Sequence, residues 1–428
     1  MPLLTNENHL HLYGCLSAED LFKESFQRAK KYDARFQWFL SEYKKATSIV
    51  INPESWWNHS DGFDQFKRHF VCGAVNKFDI FQAKFNLLIA LFPPSPDDLT
   101  LADCVFAAHA KETGYKEYRT FLPLYLPPHE RAKYLQYLIN CARSYETHDY
   151  HPRLAISFSR QDAEAWDSYG FLMGFMADNP DLKPWLTGID FCGNERGHPP
   201  TSKKKLFEQI NHDRLQGHHS LEILYHVGEM WENVALHSAA RWCLEATEIG
   251  VRRLGHALAL GMAPEALCGR TIHESTQEAK AHLTWLRAWQ NELSEGDYTT
   301  KDYEWLSQRI EANTNNESVA WHYDEDLVEH TRRFQSAALS VIKLKNPIIE
   351  SCPTSNIRIG ALGKPSFHPL QRFLEHGLHV TIATDDPGIF DINLEHEENL
   401  IKRQFKINDE DLKKAEKLSA SLFKIEPK

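Results

Sequence analysis

The sequence predicts a (β/α)8 barrel with helical insertions on one face. Three observations predict it. Eight short β-rich runs alternate with helix-compatible stretches, the order of a parallel sheet with crossover helices. Several of these runs are continuously apolar, as expected of parallel strands covered on both faces. Histidines and aspartates recur where the runs stop, and barrel folds gather their chemistry on that rim.

Taken in order, the first strand runs up to His11. The second spans Tyr115 to Leu126, where Tyr118, Phe121, Leu122 and Leu124 supply aromatic and apolar positions. The third is Arg153 to Ser159, the fourth Leu186 to Cys192 and the fifth Leu221 to His226. The sixth, Val251 to His256, is short. The seventh is Pro347 to Cys352 and the eighth Leu378 to Thr384. Two long stretches interrupt the alternation. Residues 16–114 are rich in aromatics, among them Trp38, Trp56, Trp57, Phe63 and Phe66, and read as helical. Residues 257–346 contain two amphipathic helices, Glu278 to Leu293 and Tyr303 to Ala312; Leu283, Leu286, Trp289 and Leu293 form the stripe of the first. Ser294 to Thr300 and Asn313 to Ser318 read as exposed loops. Neither stretch has linker composition, so residues 1–428 are expected to be one domain.

Composition narrows the function classes. Hydrophobic content of 42% and charged content of 25% are those of an ordinary globular protein. A net charge of −11 argues against sequence-independent binding to nucleic acid. Lys203-Lys204-Lys205 is the main basic run and reads first as a solvated patch, second as a phosphate contact. Eight cysteines without a Cys-x-x-Cys pair point to free thiols in a reducing compartment. The N-terminal MPLLTNENHL has no basic or apolar signal region, and no apolar run reaches membrane-spanning length. The expectation is a cytoplasmic protein with no membrane partner. The oligomeric state is open.

Five fragments carry the chemistry. His9-Leu10-His11 ends the first strand, and period-two alternation puts both imidazoles on one side of it. His226 ends the fifth strand, and Gly228 allows a turn that returns Glu229 over the strand end. His256 ends the sixth. Cys352-Pro353-Thr354-Ser355-Asn356 follows the seventh. Asp385 ends the eighth, and Asp386-Pro387 turns the chain. Each has a plainer explanation alone: an exposed histidine pair, a structural strand-end histidine, a helix N-cap at Asp385-Asp386-Pro387. Together, three histidines and one aspartate make an N/O set for Zn2+ with a position open to water, and Fe2+ or Co2+ would also be accepted.

The fragments resemble, in order, the successive motifs of the adenosine deaminase family of the amidohydrolase superfamily. The resemblance also includes Gly188-Ile189-Asp190-Phe191-Cys192-Gly193-Asn194-Glu195 and Arg253-Leu254-Gly255-His256, and it spans residues 9 to about 390. It implies a (β/α)8 barrel and one Zn2+ held by His9, His11, His226 and Asp385. It also implies Glu229 against purine N1, His256 beside the metal-activated water, the Gly193 N–H at N3 and Asp386 at N7. Deamination at C6 requires the adjacent ring nitrogen to receive a proton, so Glu229 must arrive protonated. N7 is an acceptor, so a direct bond from Asp386 requires either a protonated Asp386 or an altered proton arrangement on the substrate.

One position departs from the family. Its members commonly carry Asp after His-x-His-Leu, holding the sugar 5′-hydroxyl, whereas this chain has Tyr13. The expected substrate is adenosine or a close derivative; a phenol is uncharged at pH 7 and does not repel a 5′-phosphate, while its bulk could exclude the ribose, so AMP, N6-substituted AMP and free adenine are alternatives. Another amidohydrolase reaction and a catalytically inactive nucleoside-binding protein remain as competing readings. Trp56, Trp57, Phe63 and Phe66 are candidates for shaping access to the pocket.

Overall fold

In the computed structural model, which describes residues 2–73, 78–295, 298–313, 317–360 and 362–423, ten strands form. They are β1 (Glu7–His11), β2 (Gly114–Phe121), β3 (Tyr150–Ser157), β4 (Leu186–Phe191), β5 (Glu222–Val227), β6 (Arg253–His256), β7 (Thr271–Ser275), β8 (Ser318–His322), β9 (Ile348–Ser351) and β10 (His379–Ile382). Eight pair in parallel in the order β1-β2-β3-β4-β5-β6-β9-β10. Closure is made just past β10. The His11 N–H donates to the Asp385 carbonyl at 2.9 Å, and the Asp385 N–H donates to the His9 carbonyl at 3.2 Å. The closing seam therefore sets Asp385 beside the His-x-His pair.

All eight expected strands are the barrel strands. β2 stops at Phe121 rather than Leu126 because Pro123 has no N–H to continue the ladder. The interior is less apolar than those runs suggest. Arg253 reaches both Glu117 (2.7 Å) and Glu350 (2.5 Å), Lys116 meets Glu7 at 2.6 Å, and Arg119 pairs with Glu350, all of them buried. Such a layer is tolerated because each charge has an opposite partner and hydrogen bonds.

The stretch 16–114 is helical among the described residues, ending in the helices Phe78–Leu91 and Thr100–His109. The stretch 257–346 holds the helices Thr276–Ala288, Gln290–Ser294 and Thr300–Glu311. Leu283, Leu286 and Leu293 of the expected stripe are buried, and Trp289 packs against the core. The expected loops at 294–300 and 313–318 lie partly outside the described residues. The sequence reading missed an antiparallel hairpin of β7 and β8. Its period-two pattern was legible: Ile272, Glu274, Val319 and Trp321 are buried between exposed neighbours. Among the described residues, no helix is long and apolar enough to cross a membrane.

Candidate metal and substrate site

Four side chains from three parts of the chain converge at the strand ends. His9 Nε2 lies 3.1 Å from His226 Nε2, and His11 Nε2 lies 3.3 Å from the same atom. Asp385 Oδ1 is 3.5 Å from His9 Nε2 and 3.3 Å from His11 Nε2. A tetrahedral ion with bonds of about 2.0–2.1 Å has ligand–ligand edges of about 3.3 Å. Asp385 Oδ1 is buried without a hydrogen-bond partner, an uncommon state for a carboxylate oxygen. The donor chemistry therefore suits a divalent transition ion, and within this cluster His9, His226 and His256, like His11, Asp385 and Asp386, lie close enough together to hold one. The outer contacts fit too. His9 Nδ1 meets Glu350 Oε2 at 3.0 Å, and His226 Nδ1 meets Asp190 Oδ1 at 3.1 Å. The Ser355 hydroxyl donates to Asp385 Oδ2 at 2.6 Å. Such partners turn each Nε2 toward the centre. The Arg119 guanidinium lies 3.0 Å from His9 Nε2 and is balanced by Glu350 and Asp190.

Electrostatics separates the two neighbouring aspartates. Burial alone would raise Asp385, but His11, His256 and the Ser355 hydroxyl hold it well below the usual carboxylate range. Asp386 is pushed up, by burial first and then by the charge of Asp385. Gly14 is required for their placement, since a Cβ there would fall 1.6 Å from Asp386 Oδ1. Both His256 and Asp385 have left-handed backbone, with φ of 62° and 67°, at the ends of β6 and β10. For residues other than glycine this conformation carries strain and clusters at functional sites.

The hydrogen-bond chain behind His256 fixes its tautomer. The backbone N–H of Leu370 donates to His368 Nδ1 at 3.1 Å, so Nε2 of the neutral ring carries the proton. That nitrogen meets Asn356 Oδ1 at 3.0 Å, which turns the amide nitrogen of Asn356 toward His256 Nδ1 at 2.8 Å. Nδ1 of His256 is therefore an acceptor, and its Nε2–H points into the site, 3.7 Å from Glu229 Oε1. Burial lowers the His256 pKa to about 3, so the ring is neutral near pH 7.

Glu229 is buried on the loop after β5, and its pKa is pushed well up by burial first, then by Asp385, Glu195 and Asp386. Glu195 holds this loop: its carboxylate accepts the N–H groups of Gly228, Glu229 and Met230 at 2.8, 2.9 and 3.1 Å.

His11, His226, Glu229, His256, Asp385, Asp386, Cys192 and Gly193 line one cavity. His9 lies behind them, fully buried. Gly193 has φ of 79°, which leaves its backbone beside the cavity without a side chain. The opposite wall is the helix Phe78–Leu91, through Phe78, Phe81, Phe85 and Ile89. These four positions form one helical stripe, a signal the sequence reading passed over for Trp56, Trp57, Phe63 and Phe66. Those four pack among the helices of the 16–114 stretch and do not line the cavity.

Tyr13, expected beside the substrate, is not among the residues that line the cavity. It is buried away from the cavity lining, its phenol paired with Tyr134, and burial pushes its pKa well up. The chain turns at Tyr13–Cys15, and that turn aims the ring at the helix Pro128–Ser144. In the Lys203–Lys205 run, Lys204 and Lys205 are exposed, Lys204 beside Glu208, as a solvated patch would be, whereas Lys203 is buried in an ion pair with Asp162. None of the eight cysteines is joined in a disulfide. Asp190, Glu195, Glu350 and Asn356 were given no role by the sequence, although three of them lie inside its motifs. No local pattern specifies which buried group each would face.

A family model described as adenosine deaminase matches residues 335–423. Adenosine deaminase of Escherichia coli (strain SE11) is 25% identical over 247 residues, covering 52% of this chain and 72% of the relative. Among solved structures, the N6-mAMP deaminase of Arabidopsis superposes with a TM-score of 0.57 at 15% identity, covering 99% of this chain and 94% of the other. An amidohydrolase of Burkholderia ambifaria with bound Zn gives a TM-score of 0.56 at 15% identity, over 98% of this chain and 85% of the other. At these identities the structural likeness establishes the barrel fold.

Proposed function

We propose that this adenosine deaminase-like chain is a metal-dependent hydrolase that converts the 6-amino group of an adenine-type purine to a 6-oxo group, releasing ammonia. The observation that carries the reading is the pairing of groups in one cavity. A buried Glu229 biased toward its protonated form stands beside a His256 that presents an N–H, against the cluster of His9, His11, His226 and Asp385. Zn2+ is the ion proposed for that cluster. When bound, it supplies hydroxide at neutral pH by acidifying water.

The remaining roles belong to the chain. Glu229, protonated, donates to the ring nitrogen beside the reacting carbon, so charge does not build on the ring. The carboxylate left behind then takes the proton of the added hydroxyl and passes it to the departing amine, so the C6–N bond breaks with release of ammonia as the C6–O bond becomes the 6-oxo group. His256 donates from Nε2 to the oxygen at the reacting carbon. It acts as a fixed dipole rather than a base, because its Nδ1 is occupied as an acceptor. Asp386, also biased toward the neutral form, donates to N7, which meets the requirement set by that acceptor. Gly193 offers its N–H to N3. The aromatic stripe of Phe78–Leu91 covers the ring and excludes water.

The substrate is proposed to be adenosine or a close derivative. A second reading, AMP or N6-methyl-AMP, is favoured by Tyr13. The ring is turned to Tyr134, so that position presents no carboxylate to repel a 5′-phosphate. The test is release of ammonia or methylamine, with the matching 6-oxopurine, from adenosine, 2′-deoxyadenosine, adenine, AMP and N6-methyl-AMP. Chelator-sensitive turnover of one compound supports the proposal. Inactivity of the fully metal-loaded protein on all five overturns it.

A further inference from the structure

The loop 228–235 carries Glu229 into the helix Leu236–Glu248, whose N-cap is Ala235. Alanine has no side-chain acceptor for the N–H groups that a helix start leaves unpaired. Here the long insertion supplies them. Glu274 on β7 accepts the Ala235 N–H at 3.0 Å, and the Tyr323 hydroxyl, just past β8, accepts the Leu236 N–H at 2.7 Å. Both side chains are fully buried. Glu274 is itself held to the hairpin by Trp321, whose Nε1–H donates to its other oxygen at 2.9 Å. A carboxylate at a helix N-terminus also complements the helix dipole.

At its other end the same loop is held by Glu195. Between the two anchor points the loop and the hairpin do not pack flush. A second cavity lies there, lined on one side by Glu229, Met230 and Trp231 and on the other by Arg270, Thr271 and Ile272. The two polar contacts, at Ala235 and Leu236, lie outside that cavity and tie the far end of the loop to the hairpin.

We propose that the β7–β8 hairpin is a clamp on the catalytic loop, with Glu274 and Tyr323 as positioning residues that hold Glu229 at its place in the cavity. This rests on the proposed role of Glu229. It gives the 257–346 stretch a function at the site without contact with the reacting atoms. A misplacement of about 1 Å at a reacting group can cost about 100-fold in rate.

The test uses Tyr323→Phe, with Glu274→Gln as the second variant and Tyr303→Phe, half-buried on the insertion helix Thr300–Glu311, as the control. Amide exchange is followed over 228–236. Metal content is measured, and kcat and KM are taken on whichever of adenosine, AMP or N6-methyl-AMP the unaltered protein turns over. The clamp predicts exchange at 229–236 faster by about five- to tenfold, the loss of one hydrogen bond. It also predicts kcat lower by about 10- to 100-fold, with KM and metal content nearly unchanged, and no change in the control. Faster exchange with kcat per bound metal unaltered means a merely structural cap and overturns the proposal, as does unaltered exchange. If Glu274→Gln fails to fold, the near-isosteric Tyr323→Phe decides alone. If the unaltered protein turns over none of the five compounds tested above, the deaminase reading falls and the role given to Glu229 with it, while unaltered exchange in both variants overturns the clamp whatever the activity.

Discussion

The side-chain amide of Asn356 stands 2.8 Å from Nδ1 of His256 and fixes which ring nitrogen carries the proton. The direction of that bond is set by His368 and, behind it, the backbone N–H of Leu370. Replacing Asn356 with Asp puts an acceptor opposite Nδ1 and draws the proton to it, leaving Nε2 bare toward the site. The expected result is a kcat lower by about 100-fold or more near neutral pH, with bound metal retained and activity recovering as pH falls, because protonation of the ring restores the Nε2–H. An unchanged kcat with Asp at this position sinks the donor role assigned to His256.

Glu229→Gln keeps the shape but cannot transfer a proton. Turnover should fall by about 100-fold or more while metal content, measured by atomic emission, stays constant. The pH dependence follows from the raised pKa. The active form is protonated, so activity holds above the ordinary carboxylate range and declines as pH rises through the elevated value. A kcat/KM that instead rises steadily with pH through neutrality contradicts this assignment.

Asp385→Asn removes the negative charge facing His9 and His11. Metal content should drop below half occupancy at micromolar zinc, and thermal stability should lose its response to added metal. In the unaltered protein, saturating zinc at about 100 times Kd should stabilise by about 2.7 kcal/mol, read as a shift in Tm that a chelator reverses. Zinc shifting both proteins equally counts against the cluster as the metal site.

Three buried histidines join the insertion to the barrel: His237, His282 and His330. Both ring nitrogens of His237 and His282, and Nδ1 of His330, have no hydrogen-bond partner among the described residues. Burial lowers the pKa of all three, that of His330 to about 3. The unfolded chain therefore binds more protons below about pH 6.5, and stability falls as pH drops from there toward the folded-state values. Tm should be markedly lower at pH 5 than at pH 7.5, and His282→Leu should shrink that difference. A difference unaltered in His282→Leu would place the acid sensitivity elsewhere.

The legible part of the site was the part carried by residue type and position in a strand. His9 and His11 alternate on β1, His226 and His256 end β5 and β6, and Asp385 follows β10. Each could be read from a local run and its end. The lid was partly legible, because Phe78, Phe81, Phe85 and Ile89 repeat at helical spacing, yet the more conspicuous tryptophans nearby drew the expectation. The β7–β8 hairpin was legible too, but its short alternating strands lie among helices and left no apolar run.

By itself, the sequence determined the barrel, the order of its strands and the ligand-bearing ends. Those depend on periodicity and side-chain chemistry within about ten residues. Only the tertiary structure decided where Tyr13 points, which buried carboxylate holds the Glu229 loop, which proton His256 keeps and what the insertion grips. Each of those contacts joins groups tens to hundreds of residues apart. Its direction is set by how whole elements pack, which no local pattern encodes.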